Sequence, residues 1–591
     1  MVKIAETTKS VRCLLTALAV VTAGVPCFAA NPRISKDLVV DGDGNAAVIV
    51  QFTQHPTQNQ HQKVLNHGGT LKADLSRAIK GGAYSIPRRE LEALANDPDV
   101  AYISPDRGLK GQLEFANPAV NAGIARKYGF DGTGVGIALI DSGLEGRPDL
   151  NSQSNGNGGS RIVFSMSFLP GNTGTGDDYG HGTHVAGILA GNGFKSSDRN
   201  AIYHFIGIAP NATLINYRVL DANGAGTDSS VIAAIHQAIS DQAKYNIRVI
   251  NLSLGRAVYE SYELDPLCQA VESAWKHGIV VVVAAGNEGR NNSAGTSGYG
   301  TIMSPGNDPY AITVGAMKDN STISRADDTV ASYSSKGPTA IDHIVKPDLV
   351  APGNRVISLV RGGSAIYNSS NVNLIANSYY QPGQPGTSTM YYRLSGTSMA
   401  APMVSGAAAL LLQKDPTLTP DMVKARLMRT ATKTFPPFSI VVDGANVYTS
   451  QYDIFTVGAG YLDVWAALND TGAVRGSAIS PTAGYDSASR SVYLQNTQAP
   501  GGQTALWGST ALWGSNAVWG STVFLGGNTA LWGSTALWGS TALWGSTALW
   551  GTGGTQAFTA LWGSTALWGS SSRSGASTSA ENLTQMIAGE K

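Results

Sequence analysis

Four short blocks of the sequence place reactive side chains where a strand ends or a helix begins. Ile140-Asp141-Ser142-Gly143 closes an apolar strand with a carboxylate and turns on glycine. Gly180-His181-Gly182-Thr183-His184 sets an imidazole at the mouth of a helix of small residues. Ala284-Ala285-Gly286-Asn287 ends a wholly apolar strand with a carboxamide, and Ser395-Gly396-Thr397-Ser398-Met399-Ala400-Ala401-Pro402 puts a hydroxyl at a helix start. These residue types suit acyl transfer. A serine hydroxyl is a weak nucleophile until a base accepts its proton, and imidazole is the base that works near neutral pH. The other ring nitrogen needs a buried carboxylate to fix its tautomer and stabilise the cation. A developing oxyanion needs fixed donors, here the Asn287 amide and the Ser398 backbone N–H, with a helix dipole aimed the same way. Asp141, His181 and Ser398 are therefore the candidate catalytic residues, and Asn287 the candidate oxyanion donor.

The elements that must hold these residues are legible between about 117 and 470. Apolar runs at Val135–Ile140, Ala212–Asn216, Arg248–Leu252, Ile279–Ala284 and Ala311–Val314 predict buried strands. Helical spacing fits His184–Ala190, Ser229–Ala243, Pro266–Lys276, Met399–Gln413 and Pro420–Thr432. Such alternation predicts an α/β fold, a mostly parallel central sheet flanked by helices, with the chemistry at the carboxyl ends of the strands. Before it, residues 30–116 read as a separate small α+β unit of β-α-β-α-β order, ferredoxin-like in type.

The blocks resemble those of the subtilisin-like serine peptidases, in the chain order Asp, His, Ser. Asn251-Leu252-Ser253-Leu254-Gly255 resembles that family's substrate-pairing strand, and Ala284-Ala285-Gly286 the wall of its main specificity pocket. The resemblance thus implies substrate-binding roles for Ser253, Leu254, Gly255, Ala284, Ala285 and Gly286. The small side chains of the wall suggest an open pocket that takes large apolar groups. Lys346-Pro347-Asp348, Ala351-Pro352-Gly353 and Gly460-Tyr461-Leu462-Asp463 resemble further family blocks. One departure is Met403, where the family often has His. Residues 33–106, above all Asp97-Pro98-Asp99-Val100-Ala101-Tyr102-Ile103, resemble the inhibitory propeptide. Together these imply a serine endopeptidase acting on proteins or peptides, self-processed from a propeptide. They imply no cofactor for the chemistry, and a structural calcium whose ligands the sequence does not assign.

Plainer readings compete at several positions. His181-x-x-His184 has the spacing of a metal pair, but no Glu follows as in metallopeptidase helices and no Cys partners it, so His184 is read as structural. Asp177 and Asp178 read as a solvated turn, and Cys268 as a small buried hydrophobe.

The ends of the chain have other roles. Lys3, Lys9 and Arg12 precede an apolar stretch from Cys13 to Val25, and Cys27-Phe28-Ala29 offers a cleavage point, the pattern of a signal peptide over residues 1–29. Its removal leaves Cys268 alone, so no intrachain disulfide forms in an exported, secreted or cell-surface protein. Forty-one basic residues balance forty-one acidic ones, which leaves no basic field for nucleic acid. No internal apolar run approaches the roughly 20 residues of a membrane span. From 476 to 591 the expectation is a low-complexity tail. Nine Trp-Gly pairs, Trp507 to Trp568, follow a Thr-Ala-Leu-Trp-Gly-Ser repeat with no charged residue between Arg490 and Arg573. An even period of six suits short stacked strands in a solenoid, and a disordered tether is the competing reading. Uncharged tryptophans in such number predict self-association or attachment to a surface, and hence an alternative function as an adhesion or assembly protein whose peptidase serves maturation only.

Overall fold

The structure is a computed structural model that describes residues 31–495 and 586–590, apart from 36–37, 39, 41, 77–79, 106–110, 113–115, 153–157, 445, 473, 475, 487–490 and 588. The signal segment, the Trp-Gly array and the solenoid reading of that array lie outside the described residues. The chain forms two compact units, Met1–Leu109 and Lys110–Lys591.

The first unit is built on alternation. In β1 (Asn45–Phe52) Ala46, Val48, Val50 and Phe52 face inward and their neighbours outward. Helix α1 (Gln58–Asn66) starts at a capping box in which Thr57 and Gln60 satisfy each other's backbone donors. β2 (Thr70–Asp74), β3 (Gly81–Pro87), α2 (Leu91–Ala95) and β4 (Val100–Pro105) follow. The four strands form an antiparallel sheet in the order β2-β3-β1-β4. Val64, Leu91, Leu94 and Ile103 complete the core. The observed order is β-α-β-β-α-β, with one strand more than the sequence reading. All five residues of β2 are exposed, so no alternation marked it. The ferredoxin-like arrangement itself is present.

The second unit carries an eight-stranded sheet. Its strands are β5 (Gly136–Asp141), β6 (Ile162–Ser167), β7 (Thr213–Arg218), β8 (Ile247–Leu252), β9 (Val280–Ala284), β10 (Ile312–Lys318), β11 (Thr329–Val330) and β12 (Leu349–Pro352). Their order is β11-β10-β9-β8-β5-β7-β6, with β12 also paired to β10. Every pair is parallel except β10 with β11. Val280, Val281, Val282 and Val283 are all fully buried; successive side chains point to opposite faces, so both faces of β9 are covered. The covering helices are α3 (His181–Ala190), α4 (Asp228–Ser240), α5 (Pro266–Lys276), α6 (Thr397–Lys414) and α7 (Pro420–Thr430). Their starts are encoded locally. Asp265 caps α5 and Thr419 caps α7, each followed by proline in the first turn. The central helix α6 packs on β8, β9, β10 and β12 and against α3.

From β5 the chain goes to the edge at β6, returns to β7 beside β5 and then crosses to β8 on the other side, from which β9 and β10 run outward, so β5 and β8 flank the point where the topology reverses, the place where parallel sheets bind ligands. Asp141 ends β5, Ser253 follows β8, and Asn287 follows β9.

Beneath this region a buried ionic cluster joins sheet, helix and the chain beyond. Asp348, at the entry to β12, pairs with Lys346 (2.8 Å) and with Lys424 of α7 (3.1 Å), all three fully buried. Ser480 donates to the same carboxylate (2.6 Å), and two lysines beside it hold the Asp348 carboxyl below the usual range against the opposing cost of burial.

The ordered unit extends past the expected start of the tail at 476. A hairpin of β13 (Thr482–Asp486) and β14 (Ser491–Gln495) buries Ala483 and Val492 with Val345 and Met428. Met586 returns to the main core, fully buried.

Candidate active site

His181 is the first residue of α3, and its Nδ1–H donates to Asp141 Oδ1 at 2.8 Å. Both groups are buried, at 0% and 2% side-chain exposure, so the pair is shielded from competing water. Close approach of the α3 start to the Asp141 turn demands glycine at 182. A Cβ there would stand 2.2 Å from the Gly143 carbonyl oxygen. The serine after Asp141 is a second tie, since Ser142 Oγ accepts from the Gly182 N–H (2.9 Å).

Asp177 corrects the sequence reading of a solvated turn. It is fully buried: Oδ1 accepts from Ser142 Oγ and the Gly180 N–H, and Oδ2 from the Thr183 N–H, each at 2.7 Å. Burial pushes its carboxyl pKa up, while the bonds from Thr183, Ser142 and Gly180 oppose that shift. Asp177 thus braces the Asp141 turn against the first turn of the histidine helix. Its neighbour Asp178 is the partly exposed one, paired with Arg218 (3.0 Å) and with Arg361. Nothing in the pattern of apolar residues distinguishes the two aspartates, because the burial of Asp177 comes from backbone donors that only the fold supplies.

His184 is structural, as read. Its Nε2–H donates to the Tyr392 carbonyl (3.1 Å) inside a dry site, and burial lowers its pKa to about 3, so the ring is neutral. Among the described residues no group of three or more His, Cys, Asp or Glu could hold a metal ion. No ligand is therefore assigned to the calcium that the resemblance implies.

Ser398 sits in the first turn of α6, fully buried. Pro402 lies four residues on and has no N–H, so the Ser398 carbonyl lacks its helical partner. Ser253 Oγ donates to that carbonyl (3.0 Å), and Ser398 Oγ donates to the Ser253 carbonyl (3.0 Å). Asn251 Nδ2 donates in turn to Ser253 Oγ (2.9 Å), and its Oδ1 accepts from Ser405 of α6 (2.8 Å). The helix carrying Ser398 is thereby registered on the end of β8.

Asn287 is turned by the same helix. Its Oδ1 accepts from the Thr397 N–H (3.0 Å), which fixes which end of the carboxamide is oxygen and leaves Nδ2 as the donating end. Thr397 Oγ1 accepts from the Gly286 N–H (3.0 Å), so the carboxyl end of β9 and the start of α6 hold each other.

The segments 253–255 and 284–286 are brought together by a third that the sequence did not single out. Ser304 bridges to Arg256 through paired backbone bonds of 2.9 Å, and the Met303 N–H donates to the Ala285 carbonyl (3.1 Å). The Met303 side chain lies against Gly286, where an added Cβ would be 2.6 Å from its Cγ. Its Cβ backs Gly255, 3.2 Å from where a Cβ would sit. The space beside these glycines contains a thioether, so small residues at 284–286 do not by themselves leave it open. Cys268 is a buried free thiol, its pKa raised by burial, as its sequence context suggested.

The chain resembles known proteins across this same region. The profile of the Subtilase family matches residues 132–481. Serine protease AprX of Bacillus subtilis (strain 168) is 39% identical over 366 residues, which is 60% of this chain and 75% of the relative. Subtilisin E of the same organism is 34% identical over 370 residues, 62% and 78% of the two chains. An alkaline protease of Alkalihalobacillus alcalophilus is 30% identical over 423 residues, 71% and 92%. The matched span includes all eight strands of the large sheet and the helices over it, so the chain that folds around Asp141, His181 and Ser398 belongs to the subtilase family and is a serine-type endopeptidase.

Proposed function

We propose that the protein is a secreted endopeptidase that cuts peptide bonds through an acyl-enzyme on Ser398, after freeing itself from residues 30–116. The observation that carries this reading is the buried 2.8 Å bond from His181 Nδ1–H to Asp141, formed on a helix packed against the one that starts at Ser398. With Nδ1 committed as donor to a carboxylate, Nε2 of the neutral ring is the base. Ser398 Oγ, turned from the Ser253 carbonyl toward His181, attacks the scissile carbonyl carbon as its proton passes to Nε2. The negative charge moves to the carbonyl oxygen, which receives hydrogen bonds from Asn287 Nδ2 and the Ser398 N–H. Collapse breaks the C–N bond, and His181 returns the proton to the leaving amine. Water then attacks the ester by the same route, regenerating Ser398 and releasing the acid.

Substrate main chain lies along Ser253-Leu254-Gly255, and the side chain before the scissile bond enters between that edge and Ala284-Ala285-Gly286. Met303 limits the depth there, so medium apolar side chains fit better than the largest. The N-terminal basic, apolar and small-residue pattern supports export, and the separate unit before residue 110 supports a propeptide role. In the test, wild type and Ser398→Ala are expressed without other peptidases, then assayed on casein and by N-terminal sequencing. Wild type should hydrolyse casein and begin between Gly108 and Val120, while Ser398→Ala should do neither. Casein hydrolysis by Ser398→Ala would refute the nucleophile, and matching N-termini would refute self-processing.

A further inference from the structure

The last residues of the chain, beyond the Trp-Gly array, occupy a groove that receives them residue by residue. The Met586 side chain is fully buried in the main core, and its carbonyl accepts from the Ser395 N–H (2.9 Å). The Ile587 carbonyl accepts from Asn373 Nδ2 (2.7 Å). Gly589 has φ +58°, and a Cβ on it would stand 2.3 Å from Ser395 Oγ and 3.1 Å from Arg355 Cγ, so only glycine passes. Asn354 clamps the next residue at both ends of its backbone, with Nδ2 donating to the Glu590 carbonyl (2.9 Å) and Oδ1 accepting from its N–H (2.8 Å).

The Glu590 carboxylate, 1% exposed, accepts through Oε1 from the Ser332 N–H (2.6 Å), from Ser332 Oγ and from Arg290 Nη2 (3.1 Å). Arg290 is itself held, by Asp443 (2.8 Å) and over the ring of Tyr448. All three donors converge on Oε1, while Oε2 is buried without a hydrogen-bond partner among the described residues, and a chain segment lying on the surface by accident would have no such donors.

The groove touches the two loops on which catalysis depends. Ser395 lies three residues before Ser398, and Arg290 three residues after Asn287. We propose that Met586–Glu590 is a docked peptide ligand built into the chain, and that its binding positions the Ser395–Ser398 and Asn287–Arg290 loops. The groove is a sequence-specific peptide site, selective for a buried apolar side chain, a glycine three residues on and a glutamate next.

The kinetic part of this inference rests on Ser398 as nucleophile, and the binding part does not. The test uses the chain ended after Thr584, together with a fluorescent synthetic peptide of residues 585–591. The peptide should bind the shortened protein saturably and the full chain not at all, and its Glu590→Gln form should bind at least about tenfold more weakly. The shortened protein should lose on the order of tenfold in kcat on a small peptide substrate with KM within about twofold, and added peptide should restore kcat. If shortening prevents folding, Gly589→Val and Glu590→Gln in the full chain provide the same kcat and KM comparison, with Glu590→Gln milder. No saturable binding, equal binding of both peptides, or unchanged kcat in the shortened protein and both point variants would overturn the proposal. The binding arm repeated on Ser398→Ala separates failure of the groove from failure of the nucleophile assignment.

Discussion

Replacing Asp177 by Asn distinguishes a brace from a surface turn. The carboxylate is fully buried and accepts from three donors at 2.7 Å, two on Oδ1 and one on Oδ2. An amide of the same shape must present its NH₂ to one side. On the Oδ1 side it opposes Gly180 N–H and the Ser142 hydroxyl, and on the Oδ2 side Thr183 N–H. The second arrangement loses fewer bonds. It costs one charge-assisted bond, about 1.5–3 kcal/mol, and strands one buried N–H at about 1–3 kcal/mol. Relief of the desolvation that raises the Asp177 pKa offsets part of that loss, leaving about 2–4 kcal/mol. The damage falls where Gly180 to Thr183 carry His181, so a displacement of ~1 Å there should lower kcat by as much as ~100-fold. Denaturant unfolding of Asp177→Asn in a Ser398→Ala background reads the first effect without self-digestion, and kcat on a small chromogenic peptide reads the second. Asp178→Asn is the control, because that carboxylate is 44% exposed to water and an amide of the same shape still accepts from Arg218 and Arg361. Equal midpoints and equal kcat for the two variants would refute the reasoning.

Three further outcomes are expected. Asn287→Ala should reduce kcat with little change in KM, a loss of about 2.7–4 kcal/mol of transition-state stabilisation; a matching rise in KM instead would place the amide on ground-state substrate. Met303→Gly removes the thioether against Gly286, so kcat/KM should shift toward substrates with larger apolar side chains before the cut bond, and an unchanged ranking of Val, Leu and Phe peptides would remove Met303 from the pocket. His184 is neutral in the fold to about pH 3 but titrates near 6.5 when unfolded, so the unfolded chain gains a proton first and stability falls as pH drops through that window. His184→Gln should flatten that acid limb by a few kcal/mol, and an identical slope between pH 4 and 6 would rule the residue out.

The sequence carried five of the eight strands of the large sheet, and the helices over it, because their apolar runs are continuous and their helix starts are capped, as at Asp265-Pro266 and Thr419-Pro420. It also carried the blocks at Asp141, His181, Asn287 and Ser398, where a reactive side chain ends a strand or opens a helix. What it hid depends on contacts made late in folding. The strands Ile162–Ser167, Thr329–Val330 and Leu349–Pro352 were not among the predicted runs; the first carries two serines in six residues and none of its side chains is fully buried. Asp177 draws its donors from two backbone N–H groups and the Ser142 hydroxyl, and no local pattern separates it from Asp178. Met303 reaches Gly255 and Gly286 from a segment without periodicity. The final docked residues were detectable only as a return of apolar and acidic side chains, Met586, Ile587 and Glu590, after the uncharged array. The hairpin beyond 481 had a sharper signal in Tyr485, Val492 and Leu494, masked by the compositional change around Gly476.

Pro402 has a consequence for how such a chain can drift. With any other residue there, the helix would satisfy the Ser398 carbonyl from its own N–H, and the hydroxyl of Ser253 would have no carbonyl to serve. With proline, that hydroxyl stands in for the missing helical donor to a buried carbonyl. The two positions are thereby energetically coupled: removing the Ser253 hydroxyl should cost more with proline at 402 than with alanine there. The end of β8 and the start of α6 therefore depend on each other, and a substitution at one has its first effects on the other.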